Sequence, residues 1–165
     1  KKIKENIKTE ISQSNLPFKN VEKNFNTKKF MLPPTEYLKK SSKNERFLSS
    51  AICSSACQIA EQTRAKAIIT ITYSGYNTIK TSSYRPTAFI YAFTNNHSIL
   101  NTLSLVWGVQ GFYYDRGTTT DQTIKETKEI LMKNKLILKG DLVINVASMP
   151  AHEKGMTNML KISKA

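Results

Sequence analysis

Acidic residues are scarce: 12 Asp and Glu stand against 25 Lys and Arg in 165 residues, a net charge of +13. Seven of those acids follow residue 46, too scattered to form a catalytic carboxylate pair or a Mg²⁺ cluster. Histidine is scarcer still. His97 stands alone at the start of a predicted helix, as a polar capping neighbour. His152 opens HEKGM, where Met156 occupies the place a zinc-protease motif needs for its second His. No Ser-His-Asp set, Walker lysine or GxGxxG occurs, so the chain offers no catalytic centre and no metal site. The two cysteines, Cys53 and Cys57, sit four apart on a predicted helix, a spacing that suits a disulfide poorly. They read as small buried thiols in a reducing compartment, with a redox or metal pair as the alternative. No apolar run approaches the roughly 20 residues of a membrane span, and no signal peptide opens the chain, so a cytoplasmic location away from membranes is expected. The chain begins Lys1-Lys2 without an initiator Met. A fragment of something longer is the expectation, although a removed leader would look the same.

What is present fits one α/β domain with a polar tail. The length is enough to bury a core without staples, and the hydrophobic fraction is 39%. The positive charge is spread out: residues 1–46 carry 12 basic against 5 acidic groups, leaving 13 against 7 for the remainder. The excess is mostly Lys, in the N-terminal segment and on helix surfaces. That describes a solvated, anion-friendly surface better than a basic face for nucleic acid, which stays as an alternative.

Along the chain, Ile3, Ile7 and Ile11 form a helical stripe, read as the tail of a helix that packs on something else. Residues 13–44 are polar and interrupted by Pro17, Pro33 and Pro34, a connector. From residue 45 a helix of small residues (Phe47, Ala51, Cys57, Ile59) precedes an alternation. Strand Ala67–Ile71 leads to a helix over Gly75–Ser82, and strand Ala88–Phe93 to a helix over Ser98–Val106. Strand Val109–Tyr114 leads to a helix over Asp121–Lys133 capped by Thr120 or Asp121. Strand Leu142–Ala147 follows the Lys139-Gly140-Asp141 turn, and strand Met159–Ser163 returns after a loop. Nearly continuous apolar strands separated by helices predict a doubly wound three-layer sandwich with a mostly parallel five-stranded sheet. The last strand, with no helix before it, should run antiparallel at the edge.

In such a sheet, ligands bind beyond the carboxyl ends of the strands, where strand order reverses. The first strand ends there at Thr72-Tyr73-Ser74-Gly75-Tyr76-Asn77. Thr72, Ser74 and Asn77 offer side-chain donors, Gly75 lets the backbone approach closely, and the following helix N-terminus favours an anion. An ordinary tight turn with a capping Ser would have the same spacing.

The segments ITITYSGYNT, SSYRPTAFIYAFTNN, LSLVWGV, LKGDLVINVASMP and KGMTNMLKIS, in this order, resemble the C-terminal domain of bacterial-type pyruvate kinase over about residues 45–165. The resemblance implies that residues 1–44 are a helix stub and connector from a preceding barrel domain. It implies a parent enzyme that transfers phosphate from phosphoenolpyruvate to ADP with Mg²⁺ and K⁺ in barrel and lid domains outside this chain. The chain itself is then expected to be inactive and to hold no cofactor. It further implies a role in assembling a homo-oligomer and in binding a sugar-phosphate activator. The activator's phosphate would sit in the loop Thr72–Asn77, closed over by Ser148–Thr157, with Met149, His152, Lys154 and Gly155 as the closing residues. The sequence departs from fructose-1,6-bisphosphate-regulated members, which read Ser-Gly-Arg-Ser or Ser-Gly-Arg-Thr here. Tyr76 replaces the Arg and Asn77 the hydroxyl residue, and only Arg116 and Lys125 offer charge for a second phosphate. A sugar monophosphate or AMP is therefore expected rather than a bisphosphate. A stand-alone phosphate-ligand-binding protein of the same fold is the alternative.

Overall fold

The computed structural model describes residues 45–115, 119–149 and 156–165. The expected stub and connector over 1–44, Arg116, His152, Lys154 and Gly155 lie outside the described residues. The described elements are α1 (Glu45–Thr63), β1 (Ala67–Ile71), α2 (Tyr76–Ser83), β2 (Phe89–Thr94), α3 (His97–Leu103), β3 (Val109–Tyr113), α4 (Thr120–Lys133), β4 (Leu142–Ala147) and β5 (Met159–Lys164).

The strands form one sheet in the order β3-β2-β1-β4-β5. β1 is central and parallel to both neighbours, with Ala67 opposite Phe89 on one side and Val143 on the other. β3 runs parallel to β2, and β5 runs antiparallel to β4 with Asn145 opposite Lys161, the edge strand the sequence predicts. The two successive crossovers through α2 and α3 move the same way along the sheet, so their right-handedness puts both helices on one face. The crossover through α4 moves back past β1 and covers the other face.

The two faces are built differently. On the α1 side, Cys53, Ala56, Cys57 and Ala60 recur at helical spacing and pack on Ile68, Ile144 and Val146. Small side chains let α1 lie close to the sheet. On the α4 side, Ile69, Val143, Tyr91 and Phe93 pack with Leu131 and Ile137. Phe93 stacks on Phe112 at 5.1 Å and meets Tyr114 edge-on at 6.0 Å. Each fully buried Ile or Phe stabilises the fold by about 1.5–3 kcal/mol, so both layers contribute.

Boundaries shift where capping outweighs pattern. The N-cap of α4 is Thr119, not Thr120 or Asp121: Thr119 is extended and its hydroxyl accepts from the Gln122 amide at 3.3 Å. The third helix stops at Leu103 rather than Val106. Leu105 and Val106 donate three residues back, to Thr102 and Leu103, which tightens the chain into a turn before Gly108 at φ 67. At its other end, Asn96 caps α3 by accepting from the Ser98 and Ile99 amides. His97 is the capping neighbour expected, its ring stacked 4.2 Å from Tyr113. Lys161 of β5 pairs with Asp121 at 2.6 Å and holds that carboxyl below the usual range, by hydrogen bonding and charge. Exposure keeps the pair's worth small.

Candidate functional site

The strand order reverses at β1: the chain leaves it for β2 on one side and returns to β4 on the other. The crevice that a doubly wound sheet opens for ligands therefore lies beyond the ends of β1 and β4. The segments leaving those ends are Thr72–Asn77 and Ser148-Met149.

Thr72 continues the β1 pairing, its amide donating to the Phe93 carbonyl at 3.0 Å. Its hydroxyl oxygen accepts from the Gly75 amide at 2.9 Å, closing a three-residue turn. Gly75 has φ 80, and a Cβ there would lie 3.1 Å from Ile99 Cγ2 of α3. Glycine is needed twice over, for the left-handed backbone and for the close approach of α3. It is also the N-cap of α2, and it makes no side-chain cap. No acidic residue occupies the first turn. The helix thus presents its first amides and the positive end of its dipole without a neutralising group of its own. Tyr73 and Ser74 are exposed beside it.

Two side chains of this loop serve it internally. Asn77 is only 3% exposed; its amide nitrogen donates to the Ile71 carbonyl at 3.0 Å, and its oxygen accepts from Thr78 at 3.3 Å. Thr78 in turn meets Thr70 at 2.7 Å, so strand end and helix start are sewn together under the loop. Asn77 thus holds the loop's shape, with one N–H of its side-chain amide committed to the Ile71 carbonyl. The Tyr76 hydroxyl meets Ser50 Oγ at 3.2 Å and the Arg46 carbonyl at 3.5 Å, which places the ring against α1.

After β4, Met149 is gripped by Asn158. The Met149 amide donates to Asn158 Oδ1 and Asn158 Nδ2 donates back to the Met149 carbonyl, both at 2.7 Å. Thr120 at the start of α4 donates to the Met149 sulfur at 2.6 Å. The Thr157 amide donates to Ser49 of α1 at 3.0 Å. Asn158 and Ser49 went unremarked in the sequence. An Asn just before a strand, and a Ser among the small residues of a packing face, give no signal that separates a loop clamp from an ordinary polar residue. Lys125 is exposed on α4.

Cys53 and Cys57 are free and buried, and their thiols donate to the Asn77 and Thr81 carbonyls of α2 at 3.6 and 3.7 Å. Burial pushes both thiols up, and with Cys53 and Glu61 nearby Cys57 reaches about 12. They act as packing residues between α1 and α2. Among the described residues no group of three or more His, Cys, Asp or Glu is placed to hold a metal ion. Nor, among them, is any helix long and apolar enough to cross a membrane.

Comparisons with known proteins agree with this architecture. Residues 50–163 match the family model of the pyruvate kinase alpha/beta domain. A pyruvate kinase of Lactobacillus delbrueckii subsp. bulgaricus is 35% identical over 115 residues, 70% of this chain and 20% of the relative. One from Clostridium acetobutylicum is 33% identical over 128 residues, 77% of this chain and 27% of the relative. The solved Cryptosporidium parvum pyruvate kinase in complex with ADP superposes with a TM-score of 0.65 at 29% identity, over 71% of this chain and 23% of that one. The chain thus spans about a fifth to a quarter of the length of these relatives. With residues 50–163 matched, the chain belongs to the pyruvate kinase family, as that family's C-terminal α/β domain.

Proposed function

We propose that the chain is the regulatory and assembly part of a pyruvate kinase, and that Thr72–Asn77 binds one phosphate group of a sugar monophosphate or AMP. One observation carries this: α2 begins at the strand-order reversal with a left-handed Gly75, no side-chain cap and no acid in its first turn. Backbone amides of the first turn would meet the phosphate oxygens. Thr72 can add its hydroxyl proton, because its oxygen is the acceptor in the turn to Gly75. Ser74 is exposed and adds a second hydroxyl. Tyr73 borders the loop, and Tyr76, held toward α1, forms a wall for a sugar or base. Thr72–Asn77 contains no cationic side chain, and a helix terminus alone contributes about 0.3–1 kcal/mol toward an anion. That modest attraction fits one phosphate better than two. Met149, with its backbone fixed by Asn158, is the described start of the closing loop; His152, Lys154 and Gly155 complete it in this proposal.

Transfer of phosphate from phosphoenolpyruvate to ADP belongs, in this proposal, to barrel and lid domains that also hold Mg²⁺ and K⁺. Those domains are the chain's partners, together with further copies of itself through the outer edge of β5.

The test is a thermal-shift panel of glucose 6-phosphate, ribose 5-phosphate, AMP and fructose-1,6-bisphosphate at millimolar concentration, with sulfate as control. A ligand at about 100 times its dissociation constant stabilises a fold by about 2.7 kcal/mol, a shift of several degrees. A monophosphate should shift melting beyond sulfate. No shift beyond sulfate refutes the phosphate site, and a clear win for the bisphosphate refutes the one-phosphate reading.

A further inference from the structure

The start of α1 touches both segments that flank the candidate site. Ser49 is 2% exposed and accepts the Thr157 amide at 3.0 Å, and Thr157 is itself buried. Thr157 leads through Asn158 into β5, whose first residue, Met159, pairs with Ala147. The neighbouring Ser50 faces the other segment. Its hydroxyl donates to the Arg46 carbonyl at 2.8 Å, which leaves its oxygen to accept from the Tyr76 hydroxyl at 3.2 Å. One turn further on, the Cys53 thiol donates to the Asn77 carbonyl at 3.6 Å. Consecutive residues of one helical turn thus bond the first residue of α2 and the approach to the edge strand.

We propose that this turn of α1 is a strut coupling the phosphate loop to β5, with Tyr76–Ser50 at one end and Ser49–Thr157 at the other. A helical turn moves as a unit because its backbone hydrogen bonds are cooperative. A shift of Tyr76 therefore draws on Ser50, displaces Ser49 and loosens the Thr157 amide. Ligand binding at Thr72–Asn77 is then felt at β5, the edge strand of the described sheet and the proposed place of pairing with another copy. Ser49 and Ser50 are positioning residues for the site. The strut supplies a route for regulation at the proposed phosphate loop and rests on that proposal only for the ligand; the contacts themselves need none.

The experiment is hydrogen–deuterium exchange on the full 165-residue chain, first without ligand. Tyr76→Phe keeps the ring and removes only the hydroxyl. It should make the amides of residues 157–160 exchange about two-fold faster, the small coupling that a half-exposed hydrogen bond can transmit. Ser50→Ala should do the same, and Ser49→Ala should loosen the Ile79 amide, which donates to the Gly75 carbonyl at 2.9 Å, reciprocally. Thr63→Val, which removes a bond to Ile59 at the far end of α1, should do neither. Unchanged exchange at 157–160 in both Tyr76→Phe and Ser50→Ala overturns the strut. The second arm adds inorganic phosphate or glucose 6-phosphate to the unaltered chain, and protection at both 76–79 and 157–160 is expected. Protection at 76–79 alone keeps the phosphate site and overturns the strut. Protection at neither, with Tyr76→Phe still loosening 157–160, keeps the strut and overturns the phosphate site.

Discussion

Replacing Ser49 by Ala removes one oxygen from a buried place and leaves the Thr157 amide without its partner at 3.0 Å. Both residues are less than 5% exposed, so water cannot simply take over. A buried donor left unsatisfied costs about 1–3 kcal/mol. Against this, alanine is the better helix former, worth about 0.5 kcal/mol at a helical position. The balance is a loss of about 0.5–2.5 kcal/mol, or roughly 1–10 °C in melting temperature for a domain of this size. Ser50→Ala, one residue along, is the internal control. Its hydroxyl is half-exposed and bonds a carbonyl of its own helix and the exposed Tyr76, groups that water can satisfy. The same propensity gain then cancels most of the loss, and a change within about 0.5 kcal/mol is expected. Urea unfolding followed by the fluorescence of the single Trp107 measures both variants. The reasoning fails if Ser49→Ala is no less stable than Ser50→Ala, because the Thr157 amide would then not depend on Ser49.

Gly75→Ala should destabilise the fold by about 1–2 kcal/mol from left-handed backbone strain alone, and the Cβ contact with Ile99 at 3.1 Å adds to it. It should also remove the melting shift given by the best monophosphate; a variant with unchanged urea midpoint and unchanged shift contradicts the assigned turn. Cys53 and Cys57 should resist iodoacetamide at pH 8 in the native chain and react fully in urea, since both are buried with thiols pushed up. Because Cys57 is raised from 9.0 to about 12, its contribution to stability is intact below pH 9 and is lost as pH climbs toward 12. A urea midpoint flat from pH 9 to 12 contradicts that. Ile162, 46% exposed on β5, should support pairing of copies along that edge. Light scattering over a concentration series should show association that Ile162→Lys abolishes, and a monomer at every concentration counts against the edge as an interface.

The sheet was legible because its signals are local and redundant. Ala67–Ile71 is an apolar run bounded by Lys66 and by Thr72-Tyr73-Ser74-Gly75, and Leu142–Ala147 follows a glycine turn with Gly140 at φ 94. The missing helix before Met159 was enough to set β5 antiparallel. What escaped was whatever depends on a single cap or a distant partner. Thr119, Thr120 and Asp121 all suit an N-cap, and only the extended backbone of Thr119 decides among them. The site divides in the same way. A strand that turns through Ser-Gly into a helix shows where an anion can sit, because amide direction follows from the backbone. It does not show where Asn77 and Tyr76 send their side chains. Asn77 satisfies the Ile71 carbonyl beneath the loop, and Tyr76 reaches across 26 residues to Ser50. Ser49 reaches across 108 to Thr157. The pairs made by Ser50 and Ser49 have no sequence period, since they join α1 to segments that become its neighbours only once the sheet has formed. The same contacts set how rigidly the loop Thr72–Asn77 is held, so in this domain the location of the loop is written locally and its support is written in α1.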